Sequence, residues 1–321
     1  MIHHLQRALF GCCMLAVQAV AYGQAPGKPV RVLVGFPPGA VSDLLPRALA
    51  DRMSAQLGQP IVVENRAGAG GRIAAAALKA ATPDGATIML APIAITLYPL
   101  THKKLEYDPF ADFAPLTQVA RFQIALAVGP QVPARTLAEY VALTKKEPRN
   151  GDYASAAAGS LPHFLGVMFG RSTGIEMNHI PYKGTAPAIT ALLGGEIQAL
   201  VTTLADLSSF HRAGKLRAIA TSGAARSPVL PEVPTFIEQG FQLEADGWYG
   251  FFAPARTPPE LAARLSRAIN DAATSPPGRQ RLLDMGLEPT GTSPAQFASI
   301  IQRDFDRWTP VIKASGFTAE D

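Results

Sequence analysis

The chain has 321 residues, 48% of them hydrophobic and 17% charged, with a formal net charge of +4. That composition excludes a disordered chain and allows one large domain or two moderate ones. The positive excess is spread along the sequence rather than gathered into a basic stripe, which argues against a nucleic-acid partner and at most favours small anionic ligands.

In chain order, residues 1–23 read as a leader. Arg7, with His3 and His4, precedes an apolar run from Ala8 to Ala21 that ends in the small-residue pattern Ala19-Val20-Ala21, the layout of a secretory signal peptide. A membrane anchor is the alternative, but the run falls short of the roughly 20 residues a span needs. The two cysteines, Cys12 and Cys13, fall inside this leader, so the exported chain is expected to have no disulfide, cysteine–zinc site or cysteine nucleophile.

Val30–Val34 is a β-branched run and predicts a strand, and the spacing of Leu44, Leu45, Ala48, Leu49, Met53 and Leu57 predicts a helix over Asp43–Leu57. Ile61–Val63 follows as a strand, Ile73–Ala81 as a helix opened by Gly68-Ala69-Gly70-Gly71, and Ala86–Leu90 as a third strand. This alternation marks a parallel sheet with helical crossovers. The glycine run lacks the third glycine of a dinucleotide fingerprint and reads as a tight turn.

The stretch GFPPGAVSD joins the first strand to the first helix. The first N–H groups of a helix have no backbone partner and carry the positive end of its dipole, so such a turn is an anion seat. Pro37 and Pro38 stiffen it, Gly39 allows close backbone approach, and Ser42 or Asp43 is expected to cap the helix. A well-capped turn with no ligand explains the same residues. There is no Gly-Lys-Ser/Thr ending, which excludes a nucleotide P-loop.

A second series starts with a strand at Gln123–Val128. Helices are expected at Thr136–Lys146, Pro162–Arg171 and Ala186–Leu193, and strands at Tyr153–Ser155, Met177–Ile180, Ala199–Thr203 and Arg217–Ala220. Ser227–Pro234 reads as a surface excursion and Trp248–Ala253 as an aromatic strand, after which everything is expected to be helical: Pro259–Ala273, Pro277–Met285, and Pro294–Ile312 behind Ser293 as N-cap. Those helices must cover a sheet already built. The chain is therefore expected to cross twice between two lobes, near 122 and 251, giving one lobe over 26–122 plus 252–321 and another over 123–251. A cleft between such lobes is where small ligands sit.

Two second-lobe turns repeat the first-lobe device: Tyr153 to His163, through small residues into a helix start, and Pro181-Tyr182-Lys183-Gly184-Thr185. Lys183 could be a counter-charge or a solvated surface group. Gly170-Arg171-Ser172-Thr173-Gly174 matches G-x-S-x-G, but a helix precedes it and a strand follows, the reverse of a nucleophile elbow. His102, His163, His179 and His211 show no metal-ligand spacing. Ser160, His163 and Asp206 could be imagined as a triad, though His163 reads more simply as a cap or ligand-facing group.

Ordered blocks now accumulate: VRVLVGFPPGAVSD, LGQPIVVENRAGAGG, PDGATIML, LEYDPFADFAPLTQVA, YASAAAGSLPH, IPYKGTAPAITALLGGEIQ, AGKLRAIATSGAARSPVLPEVPTF and WYGFFAPARTP. Together they resemble the receptors of tripartite tricarboxylate transporters, the Bug-type periplasmic solute-binding proteins, over essentially the whole exported chain. The resemblance implies an α/β Venus-flytrap fold of periplasmic-binding-protein type II with two crossovers at the hinge. It also implies a monomer in the periplasm that binds a small organic acid for a tripartite membrane permease or a membrane sensor, with no cofactor, metal or catalytic residue. A secreted serine hydrolase acting through Ser160 or Ser172, and a sensory input module, are the alternatives.

Carried onto this chain, the resemblance assigns the ligand site to Phe36, Pro38, Gly39, Ala40, Val41, Ser42 and Asp43 in the first loop, and to Ile93 and Thr96 after the third strand. In the second lobe it assigns Ser155, Ala158, Gly159, Ser160, His163, Tyr182, Lys183 and Thr202. Family members usually read PPGG-[AS]-[TS]-D in the first loop, so Ala40 and Val41 narrow the space over the helix start. Ala158 replaces an asparagine and Thr202 an aspartate, and Ala91–Thr96 is more aliphatic than the usual loop. These departures imply a drier pocket and a less polar acid, aromatic or branched, rather than citrate or an amino acid.

Overall fold

The computed structural model describes residues 28–318; the leader at 1–23, with Cys12 and Cys13, lies outside the described residues. Two sheets carry the fold. The larger has strand order β11 (Glu288–Pro289), β4 (Phe113–Phe122), β10 (Gly247–Pro254), β3 (Thr87–Pro92), β1 (Val30–Val34), β2 (Ile61–Asn65), and the smaller β7 (Asn178–Pro181), β6 (Asp152–Ser155), β8 (Ala199–Thr203), β5 (Ile124–Val128), β9 (Arg217–Thr221).

In the larger sheet β1 (Val30–Val34) runs parallel to β2 (Ile61–Asn65) and β3 (Thr87–Pro92), linked by helices α1 (Val41–Leu57) and α2 (Arg72–Lys79). Helices cover its two faces, so β1 and β3 are apolar almost throughout rather than alternating. A short helix, α3 (Ala94–Leu97), follows β3. β4 (Phe113–Phe122) was not expected from the sequence, because Pro115, Thr117, Gln118 and Arg121 break its apolar pattern. It is held instead by antiparallel pairing with β10 (Gly247–Pro254), a strand buried at every position.

The smaller sheet is built from β5 (Ile124–Val128), β6 (Asp152–Ser155), β7 (Asn178–Pro181), β8 (Ala199–Thr203) and β9 (Arg217–Thr221). Four helices accompany it: α4 (Leu137–Lys146), α5 (Leu161–Thr173), α6 (Thr185–Gly194) and α7 (Leu204–Arg212). β6 pairs parallel with β7 and β8, and β5 antiparallel with β8 and β9.

The chain passes from the larger to the smaller sheet at Gln123 and returns between β9 and β10. All of β10 belongs to the larger sheet, so the return precedes Gly247 rather than falling at 251. Buried Ser222 ties the two crossings together: its hydroxyl accepts from Ile124 N–H at 2.9 Å and donates to the Ala245 carbonyl at 2.8 Å. Ser227–Pro234 is not a surface excursion, since Leu230 and Val233 are buried in the second lobe's core.

After β10, α8 (Pro259–Thr274), α9 (Pro276–Asp284) and α10 (Pro294–Ser315) cover the larger sheet, as the absence of further long strands required. One short strand, β11 (Glu288–Pro289), interrupts them and pairs with β4. Ser293 and Gln296 form a capping box at the start of α10. Past its end, Phe317 reaches the second lobe and meets the His163 ring edge-on at 4.5 Å. Among the described residues, no helix is long and apolar enough to cross a membrane.

Candidate functional site

The first-lobe turn is built from inside the helix it precedes. Ala40 is the N-cap residue of α1 and supplies no side-chain bond, so neither Ser42 nor Asp43 caps in the expected way. Buried Asp43, one turn in, instead accepts from Gly39 N–H at 3.0 Å, from Arg47 Nε at 2.9 Å and from Asn65 Nδ2 at 2.8 Å. Asn65 also donates to the Phe36 carbonyl at 3.0 Å. Gly39 has φ +92°, a conformation that side chains resist. Burial pushes the Asp43 carboxyl up, but the bonds from Arg47, Gly39 and Asn65 outweigh it and hold the group below the usual carboxylate range. Asp43→Ala is expected to cost about 2 kcal/mol by urea unfolding at pH 7, because it orphans the Gly39 amide and the Asn65 side chain.

The second-lobe turns lock to each other. Tyr182 N–H donates to the Ser155 carbonyl at 2.9 Å and Gly184 N–H to that of Ala156 at 3.1 Å. Thr185 starts α6, and Thr203 caps α7, its hydroxyl accepting from Asp206 N–H. From this lobe Asp206 crosses the cleft: Oδ1 accepts from Val41 N–H of α1 at 3.2 Å, while Oδ2 accepts from Thr203 at 2.8 Å and Thr185 at 3.0 Å. Burial pushes its carboxyl up, against those three hydrogen bonds.

Between these turns lies a cavity of about 70 Å³. At about 15 Å³ for each water-sized occupant, that is room for a handful of waters or the core of a compact acid. Phe36, Ala40 and Ser42 line it from the first turn, Ile93, Tyr98, Phe122 and Tyr249 from the rest of the first lobe, and Ala156, Ser160, Leu161, Thr185, Thr202 and Asp206 from the second. Among the described residues, no lysine, arginine or histidine borders it. Ser42 and Tyr249 are at most 5% exposed, and neither hydroxyl has a hydrogen-bond partner among the described residues. A wider vestibule of about 640 Å³ adjoins the cavity, with Ala158, Tyr182 and Lys183 facing Arg72 across it.

Of the residues named from the sequence, Phe36, Ala40, Ser42, Ile93, Ser160 and Thr202 thus border the cavity, and Ala158, Tyr182 and Lys183 the vestibule. Pro38, Gly39 and Asp43 build the first turn without bordering the cavity, and Val41 offers its amide to Asp206. Thr96 is turned back onto the Ile93 carbonyl at 2.8 Å.

His163, expected as a cap or ligand-facing group, stands behind the wall. Its Nδ1 accepts from Gly159 N–H at 3.1 Å, and its ring stacks on His179 with centroids 4.0 Å apart. Ser155 is bonded to His179 Nε2 at 2.7 Å. Burial pushes His163 down to about 4, and burial with the neighbouring His163 pushes His179 down to about 3. The imagined triad is not assembled: Ser160 Oγ donates to the Ala157 carbonyl at 2.7 Å, and Asp206 bonds no histidine. Ser172 donates to the Phe169 carbonyl within α5.

Sequence reasoning missed Thr185, Tyr249, Phe122 and the role of Asp206. The pattern Thr203-x-x-Asp206 after a strand is a capping signal that places Asp206 at a helix start. Nothing local marks Tyr249, which reaches the cavity only because β10 is inserted between β3 and β4.

Comparison with known proteins agrees with this architecture. Residues 45–317 match the model of the tripartite tricarboxylate transporter family receptor. Protein BugT of Bordetella pertussis is 34% identical over 91% of this chain and 90% of its own. The structure of R. palustris Rpa4515 with adipate superposes with a TM-score of 0.88 at 31% identity, covering 91% of this chain and 99% of that one. MatC from Rhodopseudomonas palustris with bound malate gives 0.82 at 31% identity, covering 90% of this chain and 100% of that one. With the family's match running from the first helix to the last, and two lobes facing each other across a closed cleft, the chain belongs to the tripartite tricarboxylate transporter receptors, as a Bug-type member.

Proposed function

We propose that this receptor closes on a small organic acid of low polarity in the periplasm and delivers it unchanged to a tripartite membrane permease. One observation carries the reading: the hydroxyls of two buried residues, Ser42 and Tyr249, have no partner among the described residues and line an otherwise largely apolar cavity between the lobes. A hydroxyl that lines a cavity and has no protein partner is in place for an acceptor that arrives from outside. The aliphatic and aromatic walls, Phe36, Ile93, Phe122 and Leu161, suit a branched or aromatic body on that acceptor. Adipate in Rpa4515 and malate in MatC support a carboxylate as the acceptor.

A thermal-shift screen of organic acids tests this, since a ligand that binds only the folded state raises the melting temperature by mass action. Acids such as benzoate or a branched short-chain carboxylate are expected to stabilise the protein more than citrate. Tyr249→Phe and Ser42→Ala are each expected to weaken binding about tenfold, equivalent to about 1.4 kcal/mol, while barely moving the ligand-free melting temperature. Tight citrate binding with no response to apolar acids would contradict the reading.

A further inference from the structure

The amide end of α1 is already occupied. The carboxylate on it comes from the opposite lobe: Asp206 Oδ1 accepts from Val41 N–H at 3.2 Å, across 165 residues of sequence. Its second oxygen takes the hydroxyl protons of Thr185 and Thr203. Three donors converge on this side chain, which is the arrangement a charged, acceptor-only carboxylate satisfies.

We propose that Asp206 is a specificity-determining internal anion, which admits to the closed cleft a ligand with one carboxylate and rejects a ligand with two. The inference rests on the carboxylate-binding reading above and deepens it. Asp206 lines the same cavity of about 70 Å³, so a charged group placed there shares a confined, largely apolar space with this carboxylate. Among the described residues no lysine, arginine or histidine lines this cavity to offset a second negative charge there, Arg72 and Lys183 lining the vestibule outside it. Two lining hydroxyls without a partner among the described residues, Ser42 Oγ and Tyr249 Oη, are donors enough for the two oxygens of a first carboxylate and leave none of their kind for a second. A second carboxylate inside would be desolvated against a like charge, the arrangement by which a site excludes a competitor rather than merely failing to attract it.

The test uses matched acids differing only in the second carboxylate: hexanoate with adipate, and benzoate with phthalate, titrated calorimetrically into the whole exported chain and its Asp206→Asn variant. Asparagine keeps the size and an oxygen for the Val41 amide while removing the charge. The wild type is expected to bind the monocarboxylate of at least one pair tenfold or more tighter than its partner. Asp206→Asn is expected to shrink that ratio at least tenfold, chiefly by gaining affinity for the dicarboxylate. An unchanged ratio in a folded Asp206→Asn protein, or a wild type that prefers the dicarboxylates, overturns the role of Asp206 and leaves carboxylate binding standing. The wild-type comparison decides even if the variant does not fold. Failure of both proteins to bind any of the four acids counts against the carboxylate-binding reading and the proposal together.

Discussion

Between pH 6.5 and pH 4 the wild-type protein is expected to lose about 3 kcal/mol of unfolding free energy relative to a His163→Asn variant. The reason is the stacked pair behind the second-lobe turn, where burial lowers His163 to about 4 and His179 to about 3. An unfolded histidine titrates near 6.5, so below that pH the unfolded chain takes up protons that the native state refuses. The stability these neutral rings contribute is complete above pH 6.5 and is lost as the pH falls towards the folded values. At about 1.4 kcal/mol for each pH unit, the interval for His163 gives the stated figure, while His179 steepens the profile of both proteins. Asp206, Asp246 and Asp304, pushed up by burial, act in the opposite sense. Comparison with the variant therefore isolates the histidine contribution, because all three carboxyls are common to both proteins. Asparagine can still accept the Gly159 N–H, so the turn that carries Ser160 has a partner. Urea unfolding at pH 6.5, 5.5 and 4 measures it; parallel pH profiles for the two proteins would show that His163 does not titrate as a buried group.

Gly35→Ala is expected to destabilise the protein by about 3 kcal/mol and to weaken ligand binding, whereas Gly39→Ala should cost only about 1 kcal/mol. A Cβ on Gly35 would lie 2.4 Å from Gly71 Cα, a backbone atom that no side-chain rotation can move aside. The first-lobe turn and the Gly68–Gly71 turn cross there in direct backbone contact, which is what the glycine run provides in place of a dinucleotide site. Overpacking of this kind costs about 1–3 kcal/mol or more. It would also displace Phe36, which follows directly and borders the cavity. A Cβ on Gly39 meets nothing within 4 Å, so only the cost of its positive φ remains. Equal losses for the two variants, measured by denaturant midpoint, would contradict this contrast.

The first lobe was legible because its information is local. Val30–Val34 and the leucine spacing after it fix a strand and a helix, and the Pro-Pro-Gly between them fixes a turn with free amides. β4 was hidden because its polar positions are sustained by pairing with β10, a partner more than a hundred residues away. The same limit applies inside the site. Phe36, Ala40 and Ser160 follow from recognising a strand-to-helix turn, but Asp206 meets Val41 only through the closure of two lobes. His163 was misplaced for a smaller reason. Its position in the first turn of α5 was correct, but the ring turns back to accept the Gly159 amide, a choice made by one hydrogen bond and a neighbouring imidazole.

The cleft is proposed to hold an organic acid and to leave it chemically intact. Mass spectrometry of the small molecules released on unfolding, after incubation with an excess of the best-stabilising acid and removal of the unbound fraction, tests it most directly. About one equivalent of the unmodified acid for each chain is expected, falling steeply in Tyr249→Phe. Recovery of cleaved or otherwise altered acid, or of equal amounts from wild type and variant, would contradict the account.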